Sequence, residues 1–136
     1  MRKRLFGAIS KRVGPFTLDG MVADDGHNAL LKHFCCPSEP VFEANLDGQK
    51  VWLFPPVDMI GIVLKFVLNQ ANILRDFSCC VLVPERSSAY WYKYVSMFRR
   101  VERFSTGSDL FRLRQGAGFV RAHKVGEPWV VLGLNL

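Results

Sequence analysis

The sequence predicts an α/β domain in which helices pack on the faces of a sheet, and three observations lead to this fold class. The chain has 136 residues, 49% of them hydrophobic, which is enough for one compact domain with a substantial core. Strand-like and helix-like segments alternate through its middle, an order typical of α/β folds. The run 77–83 is apolar apart from Ser78 and contains valines, as in a strand that is covered on both faces.

The first elements are short and are separated by loops. Residues 2–12 are predicted to form a basic helix, which the Gly-Pro pair at 14–15 stops. Residues 16–19 are a candidate strand ending in an acid. Residues 23–34 are expected to be a loop with one or two helical turns, and residues 37–48 a loop interrupted by prolines.

Two consecutive prolines mark a junction between a strand and a helix. The strand is predicted over residues 50–54, and Pro55-Pro56 ends it because proline can continue neither a ladder nor a helix interior. A helix is then predicted over residues 57–70. Its polar residues recur every three or four positions, so they form one narrow stripe on a mostly buried cylinder: Asp58, Gly61, Lys65 and Asn69.

The second half contains a central strand, a helix and further strands. Pro84 ends the strand 77–83, and Ser87 or Ser88 is expected to cap a helix over residues 89–98. In that helix Trp91 and Tyr94 share the buried face, whereas Tyr90 and Tyr92 are left for stacking on bases. The remaining predicted elements are a strand at 101–104, a turn at 106–108 and a C-terminal antiparallel pair of strands at 116–125 and 129–134.

The net charge of +6 is concentrated in two segments. Residues 1–12, treated as a basic N-terminal segment before the domain 13–136, carry five basic residues and no acid. Residues 99–124 carry seven basic residues and two acids. Segregated positive charge suits a polyanion such as nucleic acid, although it also serves solubility alone. The candidate phosphate-binding residues are Arg99, Arg100, Arg103, Arg112 and Arg114.

The cysteines indicate a reducing compartment and no metal site. They form two adjacent pairs, Cys35-Cys36 and Cys79-Cys80, a spacing that matches no zinc knuckle or ribbon. His33 completes at most half of a metal site with the first pair. We therefore predict an intracellular protein with reduced thiols and no bound metal.

Neither a membrane segment nor a signal peptide is predicted. The longest apolar run, 57–68, is interrupted by Asp58 and Lys65 and is shorter than the roughly 20 residues of a bilayer span. Lys11 and Arg12 interrupt the apolar stretch that a signal peptide would need after its basic start. No membrane partner is expected.

Polar or proline residues follow three of the predicted strands. Asp19, Pro55-Pro56 and Glu85 each come directly after a strand, and ligands of open α/β sheets bind beyond such carboxyl ends. If the strands are neighbours, these residues converge on one rim. Each also has a purely structural interpretation, Asp19 as a turn former and Glu85 as a solvated loop charge.

An ordered series of short motifs runs through residues 16–136. It comprises Phe16-Thr17-Leu18-Asp19, Asn28-Ala29, Val51-Trp52-Leu53-Phe54-Pro55-Pro56-Val57, Val81-Leu82-Val83-Pro84-Glu85-Arg86, Trp91, Gly107, Phe111 and Pro128-Trp129-Val130-Val131. The series resembles the phage-type (Dam-like) DNA adenine-N6 methyltransferase family. In its Phe-Pro-Pro form it is similar to a segment downstream of reverse transcriptase and ribonuclease H in tyrosine-recombinase retrotransposons.

The resemblance implies a single Rossmann-like, methyltransferase-like sheet and assigns roles to a few residues. Asp19 and Gly20 would lie near the cofactor S-adenosylmethionine, and Phe54, Pro55 and Pro56 would occupy the catalytic target-base motif. Active members carry Asn or Asp before the two prolines and an aromatic residue after them, to orient and stack on a flipped adenine. Phe54 offers no acceptor and Val57 no ring, so the motif is degenerate.

The resemblance therefore leads to two expectations about function. In the first, the chain is a catalytically degenerate methyltransferase-like domain of a mobile genetic element. It then binds nucleic acid, DNA rather than RNA, or docks to other domains of the element's polyprotein. In the second, it is a divergent DNA adenine-N6 methyltransferase that binds S-adenosylmethionine.

Overall fold

The structure, a computed structural model, describes residues 1, 3–115 and 119–136, and of residues 112–115 and 119–124 it describes only the backbone. Two α-helices and seven strands are found in these described residues: α1 (Lys3–Val13), β1 (Leu18–Asp19), β2 (Lys50–Leu53), α2 (Ile60–Ile73), β3 (Ser78–Pro84), β4 (Arg99–Phe104), β5 (Asp109–Gln115), β6 (Phe119–Lys124) and β7 (Trp129–Leu134). Three 3₁₀ helices lie between them, Val41–Glu43, Val57–Met59 and Tyr90–Met97.

Five strands form a mixed sheet in the order β1-β2-β3-β7-β4. β1, β2 and β3 are parallel, and β7 runs antiparallel to both of its neighbours, β3 and β4. β5 and β6 pair with each other in a separate antiparallel sheet. The carboxyl ends of the three parallel strands therefore meet at one edge, where β7 begins with Trp129 opposite Pro84.

Helical segments cover both faces of the sheet. On one face, Phe6 and Ile9 of α1 pack with side chains such as Trp52, Leu82 and Val131. On the other face, α2 and the 3₁₀ helix Tyr90–Met97 pack against a second cluster of strand residues. Every residue of β3 is buried, which confirms the prediction of a strand covered on both faces. The α/β class and its face-packed helices are thus confirmed.

Several local predictions are also confirmed. The basic helix ends at Val13, before the Gly-Pro pair, and the strand before Pro55-Pro56 is present as β2. The helix predicted from residue 57 begins as a 3₁₀ turn and continues as α2 to Ile73. Gly107 lies in the predicted turn at a φ of 89°, in the left-handed region that glycine adopts without strain.

The predicted helix at residues 89–98 is wrong in type. The segment is a 3₁₀ helix that starts after Ala89, and no side chain of Ser87 or Ser88 caps it. Aromatic and β-branched residues fill the segment, and these lose side-chain freedom in an α-helix. Its buried side chains, Trp91 and Val95, still face the core as expected for Trp91, whereas Tyr90 is largely exposed.

The predicted terminal strand pair is also wrong in its partners. Residues 119–124 pair with β5, which the sequence did not predict as a strand, whereas β7 inserts between β3 and β4. β7 carries Val130, Val131 and Leu132 in succession, and all three are buried, so it is suited to the sheet interior. Residues 23–34 contain turns and no helical turn.

Of the helices that the structure describes, none has the length and apolar character that a membrane crossing requires.

Candidate functional site

The predicted residues after β1 and β2 lie side by side at the carboxyl edge of the sheet. Asp19 is the register partner of Trp52, and the Gly20 N–H donates to the Trp52 carbonyl at 2.8 Å. Phe54-Pro55-Pro56 continues directly from β2. The structure therefore brings together the five residues to which the resemblance assigns cofactor and target-base roles, at the edge where open α/β sheets bind ligands.

A cleft at this edge has two chambers. The first, of about 650 Å³, is lined by polar groups including Asp19, His27, Asn28 and Glu127, and we call it the polar chamber. The second, of about 700 Å³, is almost entirely apolar and is called the apolar chamber; its walls include Val41, Phe42, Pro55, Pro56, Val57 and Met59. Met21, Asn28, Phe54 and Trp129 line both chambers, which are therefore adjacent.

Asp19 is a buried carboxyl group, only 3% exposed, at the floor of the polar chamber. Its Oδ2 accepts a hydrogen bond from the Leu30 N–H at 2.9 Å. Burial raises the pKa of Asp19 to about 6, and the backbone N–H groups of Leu30 and Met21 and the amino group of Met1 counteract only part of that rise. Asp19 also holds the loop that follows β1, since its own backbone bonds to His33 and Cys35.

Gly20 has a packing role beside Asp19. A Cβ at this position would overlap the side chain of Leu53 and lie 3.1 Å from Cγ1 of Val51, both of which are buried. The glycine therefore lets the chain cross β2 closely as it leaves β1.

Phe54 belongs to a group of three aromatic rings. It stacks on Phe111, with ring centroids 5.0 Å apart and planes 7° apart. Trp129 lies nearly perpendicular to both rings, at 5.9 Å from Phe54 and 5.0 Å from Phe111. One face of Phe54 is thus occupied within the protein, and the ring supplies no hydrogen-bond acceptor.

Two further residues of the polar chamber come from the loop after β1. His27 Nδ1 lies 2.5 Å from Asp25 Oδ1, and both side chains are partly exposed. Asn28 Oδ1 accepts from the Ala23 N–H at 2.9 Å and so ties the loop to itself. The sequence did not identify His27 as a site residue, because a lone histidine in a loop carries no pattern.

The predicted phosphate-binding arginines lie on another part of the protein. These arginines, Arg99, Arg100 and Arg103, belong to β4. β1 and β4 are the two outermost strands of the sheet, on opposite sides of it. Glu85 accepts from Arg103 Nε at 2.8 Å and lies 3.4 Å from Arg100. The side chains of Arg112 and Arg114, predicted in the same role, fall outside the described part of the chain.

The structure brings the two basic segments of the sequence together. Arg12, at the end of α1, forms an ion pair with Glu102 of β4 and donates to the carbonyl of Val101 at 3.1 Å. The exposed basic residues of the two segments therefore lie at the end of α1 and along the outer strand β4, and together we call them the basic surface: Lys11, Arg12, Arg99, Arg100 and Arg103. Arg100 and Arg103 extend to the face of the sheet opposite α1, since their register partners Leu132 and Val130 pack on that face.

The cysteines do not assemble a site. Cys35, Cys79 and Cys80 are buried, and burial raises the pKa of each thiol. Among the residues that the structure describes, no cluster of three or more His, Cys, Asp or Glu side chains is arranged to hold a metal ion.

Comparison of the chain with family models, with curated proteins and with solved structures finds no match. The geometry of the cleft and of the basic surface is therefore the basis for assigning a function.

Proposed function

We propose that this chain is a methyltransferase-like domain that binds nucleic acid, DNA in preference to RNA, through the basic surface and does not methylate adenine. By its resemblance to the retrotransposon segment, it would act within a mobile genetic element. The observation that carries the proposal is the contact of Arg12 with Glu102 and Val101, since it joins two distant basic segments into one surface. Positive groups clustered along one side of a domain neutralise phosphates and release counterions.

The acids within this surface leave its arginines available for phosphate. Arg12 and Glu102 are 51% and 38% exposed, and such pairs contribute little to stability in water. Arg100 and Arg103 share the single carboxylate of Glu85, so two cations there face one anion. A phosphate can therefore replace Glu102 beside Arg12 at small cost, whereas Arg100 and Arg103 can contact a phosphate while they keep Glu85 between them.

The Phe54 side chain argues against adenine methylation. By the resemblance, an acceptor at this position would orient the exocyclic amine of the target base. Phe54 is instead held against Phe111, and the partly exposed Val57 side chain has no ring on which a base could stack. The proposed activity is therefore binding without methyl transfer.

Nucleic-acid binding is tested by fluorescence anisotropy with a labelled DNA duplex and an RNA of the same length. We expect binding to DNA that weakens steeply with salt, since each neutralised phosphate adds about −0.9 to the slope of log affinity against log salt. Arg99→Glu should weaken binding about tenfold at roughly 0.1 M salt. Lys65→Glu, an equal charge reversal on the exposed side of α2, should change it far less.

Two results would contradict the proposal. One is an affinity for DNA that does not change with salt, and the other is an equal loss in the Arg99→Glu and Lys65→Glu proteins.

We infer a divergent methyltransferase as the second candidate, because Asp19, Gly20 and Phe54-Pro55-Pro56 border one cleft. S-adenosylmethionine supplies an electrophilic methyl group when bound. The buried carboxylate and aromatic rings of the polar chamber fit a ligand that carries a positive centre and a flat ring. Asp19 would hold the cofactor there, while Phe54 provides no acceptor for the substrate amine.

Calorimetric titration with S-adenosylmethionine tests the second candidate. It predicts saturable binding that Asp19→Ala abolishes and Asp76→Ala leaves intact, because Asp76 is exposed and lies before β3, away from the cleft. It also predicts transfer of a labelled methyl group to DNA. A titration without heat at about millimolar cofactor, near the weak limit of useful affinities, removes this candidate.

A further inference from the structure

The two adjacent chambers of the cleft differ in the polarity of their walls, and this difference indicates what type of ligand the cleft binds. Phe54 and Trp129 line both chambers, so a bound molecule can extend from one chamber to the other past these rings. Each chamber has a volume in the range of small-molecule sites. A ligand that fills both must carry a polar group at one end and an apolar body at the other.

The polar chamber favours a cation. Its described lining residues include no lysine or arginine, and the cationic group that acts on the buried carboxyl group of Asp19 is the half-buried amino group of Met1. Glu127 adds a second carboxylate, which Arg86 holds from outside the lining with Nε at 2.8 Å. A carboxylate in such surroundings is stabilised by an ammonium group.

The aromatic rings around Asp19 favour the same type of group. Trp52 lies beside Asp19 on the same face of the sheet, and Phe54, Phe111 and Trp129 complete an aromatic wall of this chamber. Aromatic faces attract ammonium groups through the ring quadrupole. Trp52 is fully buried, and its Nε1 has no acceptor among the described residues.

The apolar chamber offers few hydrogen-bond partners, so it does not suit a second polar group of the ligand. Its walls consist mainly of proline and aliphatic or aromatic side chains, with Asn28 and Cys36 as the few polar members. A nucleobase in this chamber would leave several of its ring nitrogens and amino groups without partners. An aromatic or aliphatic hydrocarbon group would find only favourable contacts.

We propose that the cleft binds a small amphipathic amine, with its ammonium group at Asp19 and its hydrocarbon body between Phe42, Pro55 and Pro56. This ligand site is separate from the basic surface and does not depend on nucleic-acid binding. It also differs from the second candidate function, because the ligand needs no nucleoside.

Binding of an ammonium group at Asp19 is tested with phenylethylamine by calorimetry and ligand-observed NMR. The measurement is made at about pH 8, where both the Asp19 carboxylate and the amine are charged. Phenylethanol and phenylacetate have the same ring with a neutral or a negative head. We expect the alcohol to bind at least tenfold more weakly than the amine and the acid not to bind. Asp19→Asn should weaken amine binding about tenfold, and Asp76→Asn should not.

The hydrocarbon end is tested with a pair of substitutions on exposed apolar residues. Val57→Gln, in the wall of the apolar chamber, should weaken amine binding severalfold. Ile62→Gln, on the exposed side of α2 and outside both chambers, should leave it unchanged. Since Val57 is 45% exposed, its replacement also serves as a folded variant if Asp19→Asn does not fold.

Three outcomes overturn the proposal. The first is equal binding of the amine and the alcohol, and the second is amine binding that neither Asp19→Asn nor Val57→Gln weakens. The third is binding of S-adenosylmethionine without any binding of the amine, which would support the divergent methyltransferase instead. Loss of DNA binding in the Arg99→Glu protein has no bearing on any of them.

Discussion

Replacement of Trp52 by alanine is expected to lower the free energy of unfolding by about 3–5 kcal/mol, the range for truncating a fully buried large aromatic side chain. Trp52 packs edge-on against Phe6 at 5.1 Å and against Phe16 at 5.5 Å between ring centroids. These contacts connect α1 to the sheet. Their loss leaves a cavity between the two layers and weakens the attachment of the N-terminal helix.

Urea unfolding followed by circular dichroism measures the effect of Trp52→Ala without relying on the deleted fluorophore. Trp52→Phe keeps a ring against Phe6 and Phe16 and removes the unsatisfied Nε1–H, so it should cost less than half as much. Met97→Ala, at an exposed side chain, should stay within about 0.5 kcal/mol of the wild-type chain. A loss below about 1 kcal/mol for Trp52→Ala would contradict the packing of α1 described above.

Elements determined by local chemistry were predicted correctly from the sequence. Pro55-Pro56 ends β2 because proline lacks the N–H that a ladder needs, whatever surrounds it. The run 77–83 predicted a strand covered on both faces because residues of a one-sided strand would alternate in polarity. In the polar stripe of α2 and its preceding turn, Asp58, Lys65 and Asn69 are exposed, whereas Gly61 is buried beneath Tyr90.

Elements determined by distant partners were not predicted. β7 and residues 119–124 are both strands, but only the three-dimensional sheet decides that β7 fills the gap between β3 and β4. The stack of Phe54 on Phe111 joins the end of β2 to the separate hairpin, which no local pattern indicates. The pairing of Glu85 with Arg103 likewise joins residues that follow one strand and belong to another.

The candidate site follows the same division. Asp19 and Pro55-Pro56 were predicted at one rim because the carboxyl ends of neighbouring parallel strands meet at one edge, whereas Gly20 was assigned there by the resemblance. Glu85, predicted at the same rim, lines neither chamber and contacts Arg103 instead. The chemistry of the two chambers was not predicted, since it arises from loops such as 21–42 that fold over this edge. The burial of Asp19, which gives the carboxyl group its altered pKa, is a property of that folded loop.

Asp19→Asn is expected to raise the free energy of unfolding at neutral pH by about 2 kcal/mol. The pKa of Asp19 is raised from 3.8 to about 6 in the folded protein, so the folded state binds a proton more tightly than the unfolded state does. Stability of the wild-type chain therefore falls as pH rises from about 4 to about 6 and levels off above that, by an amount of about 3 kcal/mol. Asparagine is never ionised, and its Oδ1 still accepts from the Leu30 N–H. The variant therefore does not lose most of the stability that the wild-type chain loses as pH rises.

The pH dependence separates this electrostatic effect from a change in packing. Urea unfolding at about pH 4 should give wild type and Asp19→Asn nearly equal stabilities, since Asp19 is neutral in the folded state there. The difference should grow as pH rises and become constant above about pH 6 to 7. Asp76→Asn, at an exposed carboxylate, should show no such growth. A difference that is independent of pH would mean that Asp19 has the same pKa in the folded and unfolded states, and that the loop of residues 21–36 does not bury it as the structure describes.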